Sequence, residues 1–175
     1  MPLSDGFTTK PMRDEYMKTK RIEPSREVLT LNGHDNNTDT LYFWQLFSIL
    51  GETKITDIIT NFYKHVLNDT QDDLFRDTFK ESGNLDYHVR KQVNFWVDVT
   101  GGGKRYPGGE ARLELHHDNA KIIMNEKGGS RWLYHMRNAI DREDLKDPRV
   151  IRCIIEFINF FMGAYGNQYN FKSRL

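Results

Sequence analysis

Six histidines, one cysteine and a few polar side chains set on apolar helix faces are the groups of this chain with chemical potential. Cys153 stands among Ile151, Ile154 and Ile155, where a buried, inert thiol is expected rather than a nucleophile. His34 lies in the polar run Asn32-Gly33-His34-Asp35-Asn36-Asn37 and reads as a solvated loop residue. His65 and His135 flank apolar positions on helices, in surface or half-buried roles. There is no HExxH pattern and no carboxylate pair at site spacing, so hydrolytic zinc chemistry has no motif behind it. His88 and the adjacent pair His116-His117 remain. His88 and Gln92 are four positions apart and share a helix face beside Phe95-Trp96. Tyr63 lies on the apolar face of another helical stretch, and a buried hydroxyl needs a partner. Two readings stay open from spacing alone: a polar cluster satisfied internally, or the lining of a ligand pocket.

The elements that must position these residues are helical from Asp39 onward. Leu41, Trp44, Phe47, Ile49 and Leu50 predict a short first helix stopped by Gly51. Ile55, Ile58, Ile59, Phe62, Tyr63 and Val66 mark one face of a second, carried over three turns. A third runs over 85–99, with Leu85, Val89, Gln92, Trp96 and Val99 on one face, and ends at Gly101-Gly102-Gly103. A fourth holds Trp132, Leu133, Met136, Ala139 and Ile140. The last opens at Asp147-Pro148, an N-cap followed by proline in the first turn, and buries Ile151, Ile154, Ile155, Ile158, Phe161 and Met162. No convincing alternating strand is found, so the class is all-α. Residues 103–129 are poor in helix formers, with Gly108-Gly109, Gly128-Gly129 and Pro107; a bound cofactor would supply the missing constraint.

The chain has 175 residues, which suits one domain with tails. Residues 1–37, with Pro2, Pro11 and Pro24, read as an extended arm ordered on binding a partner, 38–165 as the domain and 166–175 as a tail. Basic and acidic side chains number 25 each, which argues against a nucleic-acid binder. Single-cysteine usage rules out an internal disulfide framework and a multi-cysteine zinc site, and points to a reducing intracellular compartment, cytoplasm first and mitochondrion left open. No stretch has the apolar length of a transmembrane helix, and the N-terminal region mixes acids with bases, unlike a cleavable presequence.

One ordered set of segments goes further. Asn61-Phe62-Tyr63-Lys64-His65-Val66, Leu74-Phe75 with Phe79, Lys91-Gln92-Val93-Asn94-Phe95-Trp96, Gly101-Gly102 with Tyr106, His117, and Arg131-Trp132-Leu133-Tyr134-His135-Met136 together resemble the truncated haemoglobins, above all their second group. The resemblance spans 41–165 and leaves out the arm. It implies a two-over-two helical sandwich around haem, with the proximal helix largely replaced by a loop. It also implies that His117 is the proximal ligand of the haem iron, with His116 next to it as second choice. Tyr63 matches the distal tyrosine, and Gln92 and Trp132 the other polar distal positions, an amide and an indole N–H. His88 falls one turn before Gln92 at the distal gate, where it could serve as a sixth iron ligand. Phe62, Phe79, Phe95 and Trp96 would pack the haem or the core beside it. The stretch from His117 to Trp132 is slightly longer than the family pattern and that from Tyr106 to His117 correspondingly shorter. The family's proline-aromatic-proline after the histidine is here Asp118-Asn119-Ala120-Lys121, a looser loop that bears on haem retention.

Two functions follow from the resemblance. The first is a haem protein taking dioxygen, nitric oxide or carbon monoxide. Three donors would hold oxygen too tightly for delivery, so redox chemistry, sensing or nitric oxide detoxification fits better than transport, with dioxygenase- or peroxidase-like turnover as the enzymatic option. The second is a globin-shaped accessory subunit of a larger assembly, haem retained or lost, with the arm and tail reaching to a protein partner.

Overall fold

The isoleucine-rich stripe from Ile55 to Val66 sets the frame, because it must be covered on one side along its whole length. The structure, a computed structural model, describes residues 30–32 and 40–42 by their backbone, together with residues 46–102 and 120–175. The arm up to residue 29, His34, and residues 103–119 with the His116-His117 pair lie outside the described residues.

The stripe is the buried side of α1 (Leu46–Leu67), where Ile55, Ile58, Ile59 and Val66 are fully enclosed. α1 is broken at Gly51, whose φ of +73° lies where glycine alone is at ease. The first helix therefore stops where the sequence says, but it starts at Leu46 rather than at Leu41. Thr40–Tyr42 is extended and pairs antiparallel with Thr30–Asn32, Leu31 opposite Leu41. These two strands, β2 and β1, form a ribbon lying against the last helix. The three-residue spacing of Leu41 and Trp44 imitated a helix, while three β-favouring residues are too few for alternation to register.

A ten-residue helix follows that periodicity did not predict. α2 (Asp73–Ser82) is capped by Asp72, whose Oδ1 accepts from Phe75 N at 3.0 Å, and buries Phe75 and Phe79 one turn apart. α3 (Leu85–Val99) is capped by Asn84 and stops at Thr100, as expected. A single tight turn, Lys121–Ile123, leads into α4 (Glu126–Arg142), whose cap Asn125 accepts from Gly128 N at 2.9 Å. The helix thus takes in the glycine pair expected to lie in a helix-poor stretch. Gly128 passes so close to the Ile123 carbonyl oxygen that a Cβ there would collide with it, so these glycines are set by close packing. α5 (Pro148–Tyr169) begins at the Asp147 cap with proline in its first turn.

α1 packs along both α3 and α4, and α3 meets α5 through Trp96–Phe157 and Phe95–Phe161, at centroid distances of 5.1 and 5.6 Å. The result is all-α, the two-over-two arrangement that the resemblance implies. The ribbon is its only strand pairing among the described residues. Among them, no helix is long and apolar enough to cross a membrane. The chain reverses at Asn170 in a left-handed conformation, and residues 171–175 return over the body of the domain instead of extending away from it.

Candidate functional site

Helices whose apolar faces converge without meeting leave a pocket. Here α1, α2, α3, α4 and α5 line a cavity of about 100 Å³ that opens to solvent. Its wall is largely aromatic, with Phe75 and Phe79 from α2, Phe95 and Trp96 from α3, and Phe157 and Phe161 from α5. Side chains with polar atoms also line it, among them Tyr63 from α1, Gln92 from α3, Trp132 from α4 and Tyr165 from α5. Hydroxyls, an amide and indole N–H groups in a mostly apolar slot suit a flat, apolar group carrying a small ligand that accepts hydrogen bonds.

Of the residues singled out from the sequence, Tyr63, Gln92, Trp132, Phe79, Phe95 and Trp96 line this one pocket. Phe62 stands behind it, its ring 5.0 Å from Trp132 and 4.8 Å from Tyr63. His88 also stands outside the lining. Its imidazole is stacked on the Tyr63 ring at 4.9 Å, and its Nε2–H donates to the Phe79 carbonyl at 2.8 Å. Since a carbonyl only accepts, Nε2 carries the proton. Burial lowers the His88 pKa, and the carbonyl bonds that oppose it do not restore the ordinary value, so the ring is neutral. His88 is therefore a bolt between α3 and the end of α2, with Tyr63 resting on it. His117 and His116 lie outside the described residues.

A second polar group escaped the sequence reading. Asp69, fully buried in the α1–α2 turn, accepts from Arg131 Nη2 at 2.9 Å, from His135 Nε2 at 2.7 Å and from the Gln71 backbone N–H at 2.8 Å. Burial by itself would push this carboxyl up. The bonds from Arg131, the Gln71 backbone and His135, with the Arg131 charge, outweigh it and hold the group well below the usual carboxylate range. His135 is buried at 3% exposure, not at the surface or half-buried as its neighbours suggested. Its pKa is lowered by burial, against the pull of Asp69, and its Nδ1 has no hydrogen-bond partner among the described residues. Arg131 and His135 sit on either side of Trp132 in α4, so Asp69 fixes the stretch of helix that bears a pocket donor. The legible signal was an Arg and a His four apart on α4; the acid they share is more than sixty positions away.

The match to known proteins covers the same ground. The Bacterial-like globin family matches residues 45–166, well over half of the chain. "Two-on-two hemoglobin-3" of Arabidopsis thaliana is 30% identical over 96 residues, 55% of this chain and 54% of that protein. "Group 2 truncated hemoglobin 3-1" of Lotus japonicus is 28% identical over 117 residues, 66% of either chain. The chain thus spans about half to two thirds of the length of the curated relatives it matches. Helices, pocket and sequence agree: the chain belongs to the bacterial-like globin family.

Proposed function

We propose that the pocket holds haem, with His117 as the iron ligand (His116 the second choice), and that the protein handles a diatomic ligand there: dioxygen, nitric oxide or carbon monoxide. The observation that carries this is the meeting of Tyr63, Gln92 and Trp132 in one aromatic-walled pocket. Haem, when bound, supplies the iron that takes such ligands. The chain's own part is to exclude water with its aromatic wall and to aim donors at the ligand. Tyr63 has little freedom for this task, being 2% exposed and backed by Phe62 and the neutral His88 ring. Each such hydrogen bond contributes about 0.5–1.5 kcal/mol net, and each 1.4 kcal/mol is about a factor of ten. Two or three donors therefore slow ligand release by one to three decades. That retention suits redox turnover, sensing or nitric oxide detoxification better than oxygen transport. His88, held by the Phe79 carbonyl, supports Tyr63, and could reach the iron only by giving up that bond.

Ultraviolet-visible spectra of the purified chain, oxidised, reduced and with carbon monoxide, test the proposal. A Soret band that shifts at each step is expected, and His117→Ala should abolish it. No Soret band after haem is added back would overturn the haem reading. A reduced spectrum already six-coordinate would show that His88 does exchange its bond. Tyr63→Phe should release oxygen about tenfold faster, and an unchanged rate would remove Tyr63 from the donor set.

A further inference from the structure

We propose that residues 171–175 are the door of the pocket and that Phe171 sets access to it. This door rests on the reading of the pocket as a ligand site, and it governs how anything enters or leaves.

A tight turn sets the path of the tail. Asn170 is left-handed, and Phe171 N–H donates to the Gly166 carbonyl at 2.9 Å, so the chain doubles back at once on the end of α5. This reversal sets the Phe171 ring into the pocket wall, beside Gly129 of α4 and Tyr165 of α5. The first turn of α4 is recessed to receive it. A Cβ on Gly129 would come 2.9 Å from Phe171 Cε2 and 2.8 Å from Ser173 Oγ. Among the described residues, the rest of the lining comes from helices and the short 120–124 turn, whereas the tail is irregular chain.

What latches the tail is slight. Ser173 Oγ donates to the Glu126 carbonyl at 3.3 Å and lies 3.4 Å from Ser130 Oγ, both in exposed surroundings. The end is fastened better, Leu175 N–H donating to Asn159 Oδ1 at 2.8 Å. Arg174 stands 3.9 Å from Glu156 on the surface. Residues 171–175 form neither helix nor strand, and the bonds of Ser173 lie in exposed surroundings, the profile of a piece that opens below the energy of global unfolding. Its resistance to lifting comes from Phe171 and Leu175, both half-buried against the core, and the Phe171 ring corresponds to about a tenfold bias toward closed.

The decisive variant pairs Ser130→Cys with Ser173→Cys, at positions whose hydroxyl oxygens are already neighbours. The native Cys153 is buried and does not compete. Oxidation should lock the door and reduction release it, in the same molecule. With haem loaded, the oxidised form should pass haem to excess apomyoglobin, and take up carbon monoxide after a light flash, at least tenfold more slowly than the reduced form. Phe171→Ala should lose haem about tenfold faster than the unaltered chain. Equal rates in the oxidised and reduced forms would overturn the proposal. So would failure of the two cysteines to cross-link, since the closed position requires them to touch. If the chain takes up no haem, the haem reading fails separately, by its missing Soret band. The door is then judged by stopped-flow uptake of the dye anilinonaphthalene sulfonate into the haem-free chain, where the same slowing on oxidation is required.

Discussion

Asp69→Ala isolates the buried ion cluster. The substitution removes an acceptor fully enclosed in protein and leaves His135 Nε2–H, the Gln71 N–H and the Arg131 guanidinium without it. Breaking a buried charged pair by deleting one partner costs about 3–5 kcal/mol. Arg131 keeps 19% of its side chain exposed and can turn to water, so the lower figure, about 3 kcal/mol, is expected. For a chain of this size each kcal/mol moves the melting temperature by about 2–4 °C, hence a drop of about 6–12 °C by far-ultraviolet circular dichroism at pH 7. Acid provides the control. The folded carboxyl titrates below its unfolded value of about 3.9, so its contribution is complete above that pH and is lost as pH falls through the depressed folded value. The stability gap between wild type and variant should therefore begin to narrow below about pH 4 and go on narrowing as the acid is strengthened. A gap under about 1 kcal/mol at pH 7, or one that persists unchanged in acid, would refute the reasoning.

Other outcomes follow from the same contacts. His88 and His135 are held neutral by burial, so folding stability should be full above their unfolded pKa of about 6.5 and fall as pH drops below it toward their lowered folded values. The urea midpoint should decline between about pH 7 and pH 5, and less steeply in His88→Gln. Gly128→Ala drives a methyl into the Ile123 carbonyl and should cost about 1–3 kcal/mol by urea titration. Cys153, buried and pushed up to about 12, should ignore a thiol reagent in the native chain and react fully in denaturant. Asp147→Ala removes the acceptor of Arg149 N and should cost about 1 kcal/mol, read as a shift in urea midpoint.

What could be read from the sequence was set by the length and regularity of each element. The apolar stripe of α1 and the faces of α3 and α5 repeat over several turns, so their helices were legible, α3 to the residue. α2 has only two buried apolar side chains, Phe75 and Phe79, amid seven charged or hydroxylated residues, and its signal was a cap rather than a period. Gly128-Gly129 read as a breaker because glycine is costly in helices in general, whereas here the Ile123 carbonyl and the returning tail leave no room for a side chain. The pocket donors Tyr63, Gln92 and Trp132 were named through the ordered resemblance; spacing alone linked only His88 with Gln92, and in the structure His88 faces the Phe79 carbonyl. Asp69, Arg131 and His135 stayed hidden because nothing local in the chain announces a partner across that separation.

The break at Gly51 has a mechanical side. The short segment ahead of it is tied sideways, Phe47 N–H donating to the Thr100 carbonyl at 3.0 Å, just past the end of α3. A load applied at Leu46 is thus carried across that bond to the end of the helix that bears Gln92, while a load on Leu175 acts on the tail that bears Phe171. The two ends are handles on different walls of one cavity. A tether at the front strains a donor, one at the back strains the entrance, and single-molecule pulling from each end in turn would grip the same pocket in two distinct ways.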